Sequence, residues 1–120
     1  MDDLLAAAGA VNVDFPLKTA CCGGAQTLSD SDISTRLVLN ILQAAEAAGA
    51  DVIATECPTC HSGLEMHQMR AEKVLGKKTR VVMLYFTQLL GIAVGLSPRS
   101  LGVHENASEA LERLREKALA

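Results

Sequence analysis

The sequence predicts an α/β layered fold with a short, mainly parallel sheet flanked by helices. Three observations predict it. Runs of β type alternate with helical runs along the chain. Two of those runs, residues 51–55 and 80–84, lead almost directly into helical patterns. The apolar fraction, 49%, is mostly Ala, Leu, Val and Ile, with two Phe, one Tyr and no Trp. Strand–helix alternation is the signature of a parallel sheet, and small aliphatic side chains let helices pack closely on it. At 120 residues the chain has the size of one domain.

Each element follows from local chemistry. Residues 2–8 should form a short helix that Gly9 stops. Residues 11–15 alternate apolar and polar side chains and are expected to form a strand ended by Pro16. Residues 18–26 read as a loop around Cys21-Cys22-Gly23-Gly24. The Ser and Asp side chains of residues 29–32 offer helix N-caps. After them Ile33, Leu37, Ile41, Leu42 and Ala45 fall on one helical face, and Gly49 ends that helix. Residues 51–55 form a compact run expected to be a buried parallel strand. Pro58 then opens a helix, where its missing N–H costs nothing, and this helix reaches about Leu75 before a turn at Gly76. Residues 80–84 are a second strand and residues 87–94 an apolar helix, with Pro98 marking a loop. Asn106 or Ser108 should cap a last amphipathic helix with Leu111, Leu114 and Leu119 on its inner side. There is no internal repeat, low-complexity tract or linker.

Charge and composition exclude several functions. The formal net charge is −3 with both signs interspersed, so there is no basic groove, and the few aromatics give no base-stacking surface. Nucleic acid is therefore not expected as a partner. The apolar runs are far shorter than a membrane span, and Met1-Asp2-Asp3 lacks the basic flank of a signal peptide. The expectation is a cytoplasmic protein without direct membrane insertion.

The chemistry lies in four cysteines arranged as two close pairs, Cys21-Cys22 and Cys57-Pro58-Thr59-Cys60. In a reducing compartment such pairs point to metal or redox chemistry more than to structural disulfides; buried inert thiols are the bland alternative. Cys57 stands at the start of a helix with Cys60 one turn in. Free N–H groups and the positive helix end stabilise thiolates there, and the thiolate is the form that binds metal or attacks a disulfide. Alone, C-x-x-C fits a dithiol redox site and structural zinc equally. Adjacent cysteines diverge along the chain and fit one tetrahedral ion awkwardly, whereas they can ligate different irons of a cluster. Gly23 and Gly24 let the backbone bend closely around an inorganic core. Cys57 to His61 also spells the haem-attachment pattern, which the absence of an export signal argues against. His61 is expected on the exposed first turn of its helix. His67 and His104 read as solvated, and Met66 and Met69 as gap-filling or surface residues. The Glu112–Glu116 face with Arg115 carries no site signal.

Taken together, Cys21-Cys22-Gly23 and the later Cys57-Pro58-Thr59-Cys60 resemble the cysteine-rich CCG domain, and most nearly the C-terminal CCG domain of the heterodisulfide reductase B-subunit family. Pro16-Leu17-Lys18-Thr19 and the run Leu84-Tyr85-Phe86-Thr87-Gln88-Leu89-Leu90-Gly91 are similar to segments flanking those motifs. The resemblance covers nearly the whole chain and implies residues 1–120 as a single CCG-type domain. It implies a noncubane [4Fe–4S] cluster ligated by Cys21, Cys22, Cys57 and Cys60, with Gly23 allowing the backbone turn. It implies an oxidoreductase that reduces a disulfide or relays electrons, partnered by an iron–sulfur electron-transfer subunit.

One departure matters. The family motif carries a further cysteine upstream, and a preceding CCG domain, neither of which is in this sequence. The expectation is therefore a C-terminal fragment of a longer subunit, inactive alone, with uncovered apolar surface that favours a homodimer. Its cysteines could instead hold zinc in a structural interface module, or serve as a cluster-free dithiol with Cys57 attacking and Cys60 resolving. The substrate disulfide, the electron donor and the source of catalytic protons are not assigned by the sequence.

Overall fold

The structure is a computed structural model that describes residues 1–117. Helix α1 spans Asp2–Ala7, α2 Ser31–Ala47, α3 Pro58–Leu75, α4 Phe86–Ala93 and α5 Ala110–Glu116. Strands β1, Val52–Thr55, and β2, Val82–Tyr85, pair in parallel with Val52 opposite Val82 and Thr55 opposite Tyr85. Two strands with helices on both faces make the expected α/β layers. Leu119, expected on the inner side of the last helix, lies outside the described residues.

Strand periodicity distributes the core. Met83 points to the layer of α2 and α3, where it meets Val38, Ile41, Leu42, Leu64 and Ala71, with Ile53 packed beside them. Val82 and Leu84 point the other way, onto Val103, Ala110 and Leu114, with Val52 and Leu89 at the margin. Alternate residues of one strand thus serve two cores, as the pleat requires. Strand β1 is only half-buried along Val52, Ile53 and Ala54, whereas the sequence suggests a buried strand. A sheet of two strands has too little flank to cover it.

Helix α2 starts where the Ser/Asp cluster suggests. Asp30 is the N-cap, its carboxylate accepting the N–H groups of Asp32 and Ile33. The buried face is rotated from the one expected: Ile33 is exposed and Leu37 half-buried, while Ser34, Thr35 and Val38 face inward. Two hydroxyls can be buried here because each has partners within the fold. The Ser34 hydroxyl donates to the Gly23 carbonyl at 2.7 Å, and that of Thr35 to the Ser31 carbonyl at 2.8 Å.

Helix α3 begins at Pro58 and ends at Gly76, whose φ of 73° is the left-handed cap a glycine adopts without strain. Strand β2 is shifted two residues later at its start than the pattern suggests, and α4 follows it without a loop. The Gln88 side-chain carbonyl accepts the Tyr85 N–H at 3.0 Å, closing that junction.

Two expectations fail. Residues 11–15 are not a strand; they run as an irregular segment with no strand beside it to pair with among the described residues. Alternation alone cannot hold a strand without a neighbouring ladder. Nor do Asn106 or Ser108 cap α5, which starts after Glu109. Both side chains are committed to the outer edge of β2. The Asn106 amide donates to the Met83 carbonyl at 3.1 Å, and the Ser108 hydroxyl donates to Glu65 at 2.8 Å. At the far end of α5, Arg113 pairs with Asp51, which ties the helix to the entry of β1.

Candidate functional site

Both cysteine pairs sit at one end of the layer between α2 and α3. Cys57 follows β1 as the N-cap of α3 in extended conformation, and Cys60 lies one turn into the helix. The strand exit and helix start therefore fix this pair through regular backbone. Cys57 is exposed and Cys60 half-buried. The backbone N–H groups of Cys60 and Thr59 aim at the Cys57 sulfur and hold its thiol below the usual cysteine range. Burial, reinforced by the neighbouring Cys22 and Cys57, pushes the Cys60 thiol up to about 12. One member of the pair is shifted toward the thiolate and the other is held toward the thiol.

The other pair lies on the irregular segment before α2. Cys22 is 4% exposed and belongs to the core cluster that includes Val38, Leu42 and Leu64, against which Cys60 packs. Cys21 is exposed, and its sulfur accepts the Gly23 N–H at 3.3 Å. Gly23 adopts φ of 75°, and a Cβ there would stand 2.7 Å from the Leu37 side chain and 3.3 Å from the Ser34 backbone. A Cβ on Gly24 would stand 2.7 Å from the Thr59 methyl and 3.5 Å from the Cys22 sulfur. Missing side chains let this loop lie against α2 at Gly23 and against the first turn of α3 at Gly24.

The thiols meet in pairs: Cys57 with Cys60, and Cys60 with Cys22. Among the described residues, no three Cys, His, Asp or Glu side chains are gathered closely enough to enclose a single metal ion. The donor set is nonetheless one of thiols alone, drawn from two chain segments and bordered by glycine. That chemistry suits a thiophilic, thiolate-ligated group more than a hard oxygen-seeking cation.

Two histidines depart from the sequence reading. The sequence puts His61 on an exposed turn, yet it is 4% exposed and stacks on Tyr85 with ring centroids 4.0 Å apart. Its Nδ1 lies 2.8 Å from the Thr55 hydroxyl and its Nε2 3.5 Å from the Glu65 carboxylate. A ring protonated at Nε2 satisfies both contacts. Burial works to raise the Glu65 carboxyl, but His61, the N–H groups of Ser108 and Ala107, and the Ser108 hydroxyl outweigh it and hold the group at about 2. His67 is equally buried, between the hydroxyls of Thr27 and Thr35. A signal for both is present in the spacing: His67 shares a helical stripe with Cys60, Leu64 and Ala71, and His61 stands four residues before Glu65. His104 is exposed, as are Met66 and Met69.

Comparison with known proteins is consistent with this geometry. Residues 1–65 match the CCG cysteine-rich domain. The chain is 35% identical, over 115 residues, to the B subunit of the ferredoxin:CoB-CoM heterodisulfide reductase of Methanosarcina mazei, covering 94% of this chain and 38% of that protein. It is 34% identical to the B subunit of the ferredoxin/F420H2-dependent CoB-CoM heterodisulfide reductase of Methanosarcina acetivorans, with the same 94% and 38% coverage. It is 29% identical over 109 residues to the membrane anchor of the 8-methylmenaquinol:fumarate reductase of Wolinella succinogenes, covering 91% of this chain and 38% of that protein. The chain thus spans well under half the length of these relatives. Among the described residues no helix is long and apolar enough to cross a membrane. Two cysteine pairs joined through Cys22 and Cys60, in an α/β layer with this sequence match, place the chain in the CCG cysteine-rich domain family.

Proposed function

We propose that Cys21, Cys22, Cys57 and Cys60 hold an iron–sulfur cluster, a noncubane [4Fe–4S] centre, in a heterodisulfide-reductase-like oxidoreductase that reduces a disulfide or relays electrons. The observation that carries this reading is the contact of Cys22 with Cys60, which joins a loop thiol to a helix-start thiol across the fold. The names of two relatives, both heterodisulfide reductase B subunits, support it. On this reading residues 1–120 form one CCG-type domain of a larger assembly, and electrons come from a partner iron–sulfur protein. When bound, such a cluster supplies stored electrons and iron sites with affinity for sulfur. The chain's own part is to present a Cys57 that gives up its proton more readily than an ordinary cysteine, to release the Cys60 proton on loading, and to bring the Cys21-Cys22 loop close through bare glycines.

Iron, acid-labile sulfide and an EPR spectrum on anaerobically purified or reconstituted protein test this reading. Iron and sulfide in similar amounts, lost in Cys22→Ser and Cys60→Ser, support it. Zinc near one per chain without sulfide would support the structural zinc module instead. Colourless, iron-free protein after reconstitution would overturn the cluster for this chain.

One observation favours a second reading. An exposed Cys57 held toward the thiolate beside a Cys60 held as thiol is the asymmetry of an attacking and a resolving thiol. A cluster-free dithiol would reduce a disulfide substrate in an assay that Cys57→Ser abolishes and Cys21→Ser leaves intact.

A further inference from the structure

The loop carrying Cys21 and Cys22 has little regular structure beyond one 3₁₀ turn, Gly24–Gln26. Backbone bonds such as Asp30 N–H to the Gln26 carbonyl at 2.7 Å shape its turns, but side chains from ordered elements must fix it against the helices. Two grips are visible, one at each end of that turn. At the front, the Ser34 hydroxyl of α2 donates to the Gly23 carbonyl at 2.7 Å. At the back, Thr27 lies 3.2 Å from Nε2 of His67, on α3.

The His67 ring is itself oriented. Its Nδ1 lies 3.2 Å from the Thr35 hydroxyl, and Thr35 gives its own proton to the Ser31 carbonyl at 2.8 Å. The Thr35 oxygen must therefore accept, so Nδ1 carries the N–H. In the neutral ring Nε2 is then the acceptor that takes the Thr27 hydroxyl proton. His67 thus stands between α2 and the loop with both nitrogens used, and Thr27 is also 3.4 Å from Ser34, which holds the other end. A buried imidazole with two directed partners on two different segments does more than fill space. A Leu in this helical stripe would fill the space alone.

We propose that His67 is a positioning residue for the Cys21-Cys22 loop, fixing Thr27 and, with Ser34, setting where Cys22 meets Cys60. The inference concerns the thiols used in the cluster reading, but it is a property of the metal-free chain. Failure to assemble a cluster therefore leaves it standing.

The test uses the reduced, metal-free full chain and its His67→Phe, His67→Gln and Thr27→Val variants. Labelling of Cys22 by a thiol reagent is followed by mass spectrometry, with the exposed Cys57 in the same sample as reference. Amide hydrogen exchange is read in parallel over residues 23–27 and over β1 and β2. In His67→Phe, Cys22 should label about tenfold faster relative to Cys57, as the loss of one buried hydrogen bond implies. Exchange should quicken in residues 23–27 and stay unchanged in the strands. His67→Gln, which keeps one donor and one acceptor, should restore most of the protection. Thr27→Val should loosen the loop in the same direction with the ring intact, and it carries the comparison if His67→Phe does not fold. Unchanged protection of Cys22 and residues 23–27 would overturn the proposal. So would a loss spread equally over the strands and not recovered by Gln, since that is a general stability effect.

Discussion

The two cysteine pairs are held in place by different means. Cys57 and Cys60 are fixed by a strand that ends and a helix that begins, so their positions follow from backbone hydrogen bonds repeated along α3. Cys21 and Cys22 ride on an irregular loop fixed by a few side-chain contacts and by glycines that allow close approach. The lesson is one of resilience. The helix-start pair should survive most local changes, whereas the loop pair depends on individual bonds that one substitution can remove.

The largest expected effect attacks support common to both. Leu42 is fully buried between the layers, and Leu42→Ala should cost about 2–5 kcal/mol in denaturant unfolding. Next comes a change meant to separate the pairs. Gly23→Ala forces a side chain into a left-handed conformation and onto Leu37, at a cost of about 1–3 kcal/mol. It should expose Cys22 to labelling while Cys57 keeps its reactivity; equal changes at both thiols would erase the distinction between the pairs.

A third prediction concerns the helix that bears Cys57 and Cys60. The Glu65 carboxyl is held at about 2, against an ordinary 4.5, so its folded form binds the proton less readily than the unfolded chain does. Its contribution is complete above the unfolded value and is lost as pH falls from there through the folded one. Glu65→Gln should therefore lower stability at neutral pH by about 1–2 kcal/mol and flatten the acid limb, as read by urea midpoints at several pH values. The smallest effect involves no stability change. Cys57 should be alkylated at pH values below the usual cysteine range, while Cys60 stays protected until far more alkaline pH, a difference seen in site-resolved labelling rates. If these thiols take up the proposed cluster, loading should accordingly release protons and improve as pH rises.

Much of the fold is legible in the sequence. Pro58 at a helix start, Gly76 at its end and the Asp30 cap each carry a local mechanism that needs no tertiary help. The misreadings fall where tertiary partners decide. Residues 11–15 have strand periodicity but no partner strand, and Asn106 and Ser108 look like caps but bond β2 and Glu65. Ile33 looks like core while Ser34 and Thr35 are the buried pair, because carbonyl and imidazole partners await them. The cysteine spacing points to one end of the fold, and the junction of Cys22 with Cys60 lies there. The spacing marks the histidines as inward-facing, but it cannot name the partners that make their burial tolerable, since these come from other segments such as Thr27 and Thr55.

Thr59 belongs to both halves at once. Its amide steadies the Cys57 sulfur, and its methyl is the surface on which the Gly24 backbone rests. This one of the two residues between the helix-start cysteines thus works as a spacer as well as an electrostatic prop. Widening that side chain would wedge the segments apart, and any tilt of the turn to accommodate it would reset the acidity of the neighbouring sulfur, so that separation and charge at this centre vary together.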